Sequence, residues 1–138
     1  EAGLGKPMRE YASRIQATGR SITWATHSKS EIQKFSKVEK TYKETTLSKG
    51  AAKVIVPAVD MMMHMEAGAR NPEGEVDRIM VTSADPDALA GNRMSDRMFL
   101  PQRYITSKTN GWKQFCNLIK DEELAKKTLR NYQARYKK

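Results

Sequence analysis

The feature that most constrains the fold of this chain is the run from Gly111 to Lys138, GWKQFCNLIKDEELAKKTLRNYQARYKK. Trp112, Phe115, Cys116 and Ile119 recur at i, i+3, i+4 and i+7, the spacing that sets four apolar groups on one face of a helix. Asn110-Gly111 gives a turn signal ahead of it, and Lys120-Asp121 interrupts the pattern. A second helical series follows, Ala125, Leu129, Tyr132 and Tyr136. Asp121 is placed to cap this second helix, with Glu122 and Glu123 in its first turn and Arg130, Arg135, Lys137 and Lys138 toward its end, as the helix dipole favours. The expectation is a C-terminal helical pair over residues 111–138.

Several upstream stretches read as helices too. Pro7 suits a first turn, with Met8, Tyr11, Ala12 and Ile15 at helical spacing and Gly19 as a stop. Residues 1–6 then form a flexible arm. Its GLGK shares the close of a phosphate-binding loop, but Pro7 stands where a Ser or Thr must follow the lysine, so no nucleotide site is expected. Ile22 and Trp24 suggest a brief strand, with Trp24 a core anchor. Ser28 and Glu31 have the spacing of a capping box, ahead of Ile32, Phe35, Val38 and Tyr42 on an apolar helical face. On that helix Lys34, Lys37, Lys40 and Lys43 recur every third residue as a lysine stripe, extended by Lys29 and Lys49.

The stretch 47–56 reads equally as a strand or the start of a helix, and Pro57 opens a helix over Ala58–Ala69. The methionines of that helix, Met61 to Met65, give either core filling or an adaptable contact surface, and Asp60 and His64 form an i, i+4 pair. Asn71-Pro72-Glu73-Gly74 is a loop, and Arg78–Ser83 is the best strand. Asp85-Pro86 opens a short helix that ends at Gly91, residues 95–100 give a further turn, and Gln102–Lys108 is extended with Arg103, Tyr104 and Lys108 exposed. The expected fold is therefore mainly α, about five helices with at most two or three short strands, in a single compact domain.

Charge suggests a partner. The net +9 is divided unevenly. Residues 1–50 hold ten Lys/Arg against five Asp/Glu, residues 51–100 five against eight, and residues 101–138 ten against three. Two basic ends flanking an acidic middle suit a polyanion. The function expected is a non-catalytic nucleic-acid-binding domain, for DNA or RNA, with phosphate contacts from Lys34, Lys37, Lys40, Lys43, Lys113, Lys126, Lys127, Arg130, Arg135, Lys137 and Lys138. Tyr132 and Tyr136 are read as structural more than base-reading.

Two other readings stay open. One is a viral or phage structural or nucleoprotein-like assembly subunit that self-associates through the Met61–Met65 helix. The other is a divalent-metal nuclease built from His64, Asp77, Asp85, Asp87, Asp96 and Lys108, a poor fit because the paired carboxylate and lysine of such sites are lacking at the right spacing. No cofactor, metal or catalytic residue is expected. The lone Cys116 suits a reducing compartment, so the expected location is intracellular (cytoplasm, nucleus or virion) and not secreted. Lys53, Pro57, Asp60 and His64 interrupt the most apolar stretch and rule out a membrane span there.

Overall fold

The computed structural model describes residues 2–35, 38–93 and 99–137. Among these the chain forms four helices and seven strands in three small sheets, a mixed α/β fold. The expectation of a mainly α chain is thereby corrected. The fold divides into two units, Glu1–Val59 with Pro86–Leu89, and Asp60–Asp85 with Ala90–Lys138.

In the first unit, helix α1 spans Ala2–Ala17, so the described residues of the expected arm are helical and Pro7 lies inside the helix. Seen from the residues that follow it, a proline inside a helix gives the same signal as one at the first turn, because its missing N–H matters only toward the N-terminus. Gly19 does end the helix. It takes the left-handed conformation at φ +68, and its N–H donates to the Gln16 carbonyl at 3.1 Å. The strand expected at Ile22 to Trp24 is absent, and Trp24 instead packs edge-on against Tyr11 at 6.0 Å.

Strands β1 (Ser28–Phe35) and β2 (Val38–Thr45) replace the predicted lysine-striped helix. They pair antiparallel, from Ser28 opposite Thr45 to Phe35 opposite Val38. Ile32, Val38, Tyr42 and the threonines 41 and 45 favour a pleated ribbon, and the register sets Lys29 opposite Glu44 and Lys34 opposite Glu39. The Lys29 and Glu44 side chains meet at 3.4 Å. The Ser28-to-Glu31 spacing resembled a helix start only because it was read along one strand.

Helix α2 (Lys49–Ala58) settles the ambiguous stretch as helix. Ser48 caps it, accepting from the Ala51 N–H at 3.2 Å, and Ala51 and Ile55, one turn apart, are its buried residues. Pro57 sits in its last turn and does not open a following helix. Beside β2, the segment Pro86–Leu89 adds a parallel bridge: the Lys43 N–H donates to the Asp87 carbonyl and the Leu89 N–H to the Lys43 carbonyl, both at 2.8 Å. The short helix expected from Asp85 to Gly91 is thus replaced by a turn at Pro86-Asp87 and an isolated bridge at Ala88, with the Asp87 carbonyl and the Leu89 N–H satisfied by Lys43 of β2.

The second unit contains the sheet β4 (His64–Arg70), β5 (Val76–Val81) and β7 (Arg103–Ile105), antiparallel in the order β4-β5-β7. A two-residue pair, β3 (Met61–Met62) with β6 (Gly91–Asn92), stands apart from it. The Ala58–Ala69 helix is therefore corrected, and with it the helical basis of both the Asp60/His64 pair and the methionine surface. Burial along β4 has the period of a strand: His64 is buried, Met65 exposed, Glu66 half-buried and Ala67 exposed. The turn into β5 is the predicted Asn71 loop, with the Asn71 Oδ1 accepting from the Glu75 N–H at 2.9 Å and Gly74 at φ +81.

Helices α3 (Gly111–Lys120) and α4 (Glu122–Tyr136) follow in tandem as the sequence predicts. Asp121 ends the first and caps the second, its Oδ1 accepting from the Leu124 N–H at 3.0 Å. Tyr104, Leu118 and Ala125 form the core of this unit, with Met80, Leu100 and Leu124 packed against it. Tyr104 is thus a core residue and not an exposed one. No helix among the described residues is long and apolar enough to cross a membrane.

Candidate nucleic-acid interface

The rotation of α3 about its axis decides what this helix presents outward. Gln114 fixes that rotation: its Oε1 accepts from the Ser107 N–H at 2.7 Å and its Nε2 donates to the Ile105 carbonyl at 3.1 Å. Leu118, one turn on, is completely buried. The inward face is therefore Gly111, Gln114, Phe115 and Leu118, and the face predicted from Trp112, Phe115, Cys116 and Ile119 is displaced from it. Trp112 is 70% exposed. Lys113 and Lys120, two turns apart, are exposed on the side opposite the core.

In α4, Ala125 and Tyr132 are buried, and Lys127, Arg130, Ala134 and Lys137 are exposed. At 3.6 residues per turn, Lys127, Arg130 and Lys137 fall within an arc of about 80° on the solvent side. Lys113, Lys120, Lys127, Arg130 and Lys137 form no ion pair among the described residues. These five unneutralised cations on two consecutive helices are the candidate interface.

The other predicted contacts fare differently. Lys126 is engaged within its own helix, 2.9 Å from Glu122 and 3.7 Å from Glu123, and its hydrogen bond and charge pairing with Glu122 raise its pKa. Arg135 is held by Asp77 at 2.5 Å and donates to the Arg70 carbonyl at 3.0 Å, a tie between α4 and the β4–β5 hairpin. Lys43 is exposed on β2 in the other unit. Lys34 and Lys40 occupy strand positions of the hairpin, in opposite alternating sets by register, so the three-residue stripe does not exist. Lys37 and Lys138 lie outside the described residues. Of the predicted set, Lys113 on α3 and Lys127, Arg130 and Lys137 at the end of the chain are exposed and without an ion pair among the described residues.

The acidic middle is largely committed to structure. Asp77, buried on β5, accepts from the Tyr136 hydroxyl at 2.6 Å besides its pairing with Arg135. Asp85 takes the Arg103 guanidinium at 2.7 Å, and Glu66 takes the same group at 2.5 Å. Burial opposes the charge on Arg103, but the bonds to Asp85 and Glu66 outweigh it and its pKa is raised. Lys108 pairs with Glu75, whose pKa its ammonium lowers. Asp96 lies outside the described residues. Among the described residues, no three His, Cys, Asp or Glu side chains gather closely enough to hold a metal ion.

Two residues of this candidate surface are not apparent from spacing and charge alone. Lys120 reads only as a break in the helical pattern, and the spacing places Trp112 on the apolar face. The polar Gln114 on the inward face hid the true rotation, since apolar periodicity alone favours the set containing Trp112. No protein-family model, curated protein or solved structure matches this chain.

Proposed function

We propose that this protein binds nucleic acid, without catalysing a reaction on it, through the outward faces of α3 and α4. The observation that carries this reading is the set Lys113, Lys120, Lys127, Arg130 and Lys137, exposed and without a carboxylate partner among the described residues. Phosphates gain most from cations that need not first give up an internal ion pair. Lys126 and Arg135, each already paired, are better suited to shaping the helix and anchoring it than to meeting a polyanion. The activity belongs inside a cell or a virion, where nucleic acid is found.

The test is binding of labelled DNA and RNA across a salt series, comparing the natural chain with Lys127→Gln/Arg130→Gln/Lys137→Gln. The expected result is a steep fall of affinity with salt, with the slope reduced by roughly 2 to 3 in the triple variant, since each phosphate contact contributes about 0.7 to 0.9. Absence of binding at low salt would overturn the reading. A second reading, an assembly subunit, draws on Met63 and Met65, which are 39% and 51% exposed. It predicts oligomers whose sedimentation changes in Met65→Glu.

A further inference from the structure

Trp112 is the most exposed of the large apolar side chains described, at 70%, and it stands at the start of α3. One ring face is already ordered: Trp112 stacks on Phe115 with centroids 5.4 Å apart and planes inclined by 27°. Phe115 is half-buried on the inward side, so the indole is propped from beneath by a ring that is itself fixed in the fold. A surface tryptophan without such support gives up rotamer freedom whenever it meets a ligand. This one is ordered beforehand, with most of its area still open to solvent.

Its surroundings are cationic. Lys113 follows it, about 100° around the helix, and Lys120 lies near Lys113 on the same face two turns later. Neither forms an ion pair among the described residues. A pre-ordered aromatic face beside a short row of free cations is the combination that binds unpaired bases: the ring takes a base by stacking and the ammonium groups take the flanking phosphates. In a duplex the base faces are already occupied by their neighbours, so an aromatic group gains from a base face only where the strand is single or opened.

We propose that the ligand of this surface is single-stranded nucleic acid, and that Trp112, backed by Phe115, is the platform on which one base stacks. This rests on the nucleic-acid reading above and adds the strand type and the residue that selects it. Charge favours this occupant over a second copy of the chain, because the cations that border Trp112 would repel their counterparts on a like surface.

The experiment uses the full chain. In a Trp24→Phe background Trp112 is the sole indole, as the sequence holds two tryptophans. Its fluorescence is followed while oligothymidylate is added at low salt, and affinities for single-stranded and duplex oligonucleotides are measured for the natural chain, Trp112→Ala and Trp112→Phe. The expected result is saturable quenching by the single strand. Trp112→Ala should lose roughly 5- to 150-fold of single-strand affinity, the range for one stacked base, with its salt slope and thermal midpoint unchanged. Trp112→Phe should retain most of the binding.

If Trp112→Ala binds single strands as the natural chain does, while the Lys127/Arg130/Lys137 variant is weakened, the stacking proposal is overturned and the broader reading stands. Preference for the duplex, or an effect of Trp112→Ala on sedimentation in place of binding, overturns it too. If no oligonucleotide binds, both readings fall together.

Discussion

Gly68 is a residue whose identity is dictated by a side chain far along the chain. A Cβ at this position would fall on the Tyr136 hydroxyl and lie 2.9 Å from the Ile79 Cδ1. That hydroxyl is fully used: it donates to Asp77 at 2.6 Å and accepts from the Ala69 N–H at 3.0 Å. Gly68→Ala is expected to destabilise the protein by about 1–3 kcal/mol through overpacking. Tyr136→Phe is expected to cost about 1–3 kcal/mol by leaving a buried carboxylate short of a donor. Because removal of the hydroxyl also removes the nearest clash, the double variant should lose less than the two single losses combined. Urea denaturation of the four proteins measures this coupling.

Tyr104 makes a second residue-scale prediction. Burial pushes its phenol up to about 12 from an ordinary value near 10. The folded state therefore holds this proton more tightly than the unfolded state. The stability it contributes is complete below pH 10 and is lost as pH rises toward 12, on the order of 2 kcal/mol across that window. Stability measured against pH should show this loss in the natural chain and not in Tyr104→Phe.

At the scale of elements, the C-terminal pair shows what could be read from the residues. Both helices and their shared junction were legible, because Asp121, Glu122 and Glu123 mark a helix start by chemistry that acts within one turn. Asp121→Ala should cost about 1 kcal/mol of stability, seen as a lowered thermal midpoint. The hairpin β1–β2 was not legible. Lys29 and Lys34 stand opposite Glu44 and Glu39 of the other strand, and a three-residue lysine interval resembles a helix face when only one strand is in view. The methionine segment failed for a related reason. Met61 to Met65 satisfy either period, and what decides for strand, the pairing of His64 with Val81 and of Glu66 with Ile79, lies beyond the turn at Asn71. Of the candidate surface, Lys113, Lys127, Arg130 and Lys137 follow from charge and spacing alone, while the helix rotation that exposes Trp112 depends on the two hydrogen bonds of Gln114.

For the whole molecule, the balance of +9 is misleading until the paired charges are set aside. Lys29, Lys108, Lys126, Arg103 and Arg135 each have a carboxylate neighbour, whereas Lys113, Lys120, Lys127, Arg130 and Lys137 on α3 and α4 have none among the described residues. Nucleic-acid affinity should accordingly respond more to Lys113→Gln/Lys120→Gln than to Lys29→Gln, in the same salt-series measurement.

The parallel bridge between Lys43 and Ala88 has a consequence for the order in which the protein can be made. The first unit is not one continuous stretch of sequence: after Val59 the chain goes on to build β3, β4 and β5 before Pro86–Leu89 supplies the partners of the Lys43 N–H and carbonyl. A nascent chain emerges from the ribosome N-terminus first. The hairpin β1–β2 therefore waits, one edge unfilled, until β3, β4 and β5 of the second unit have already been synthesised.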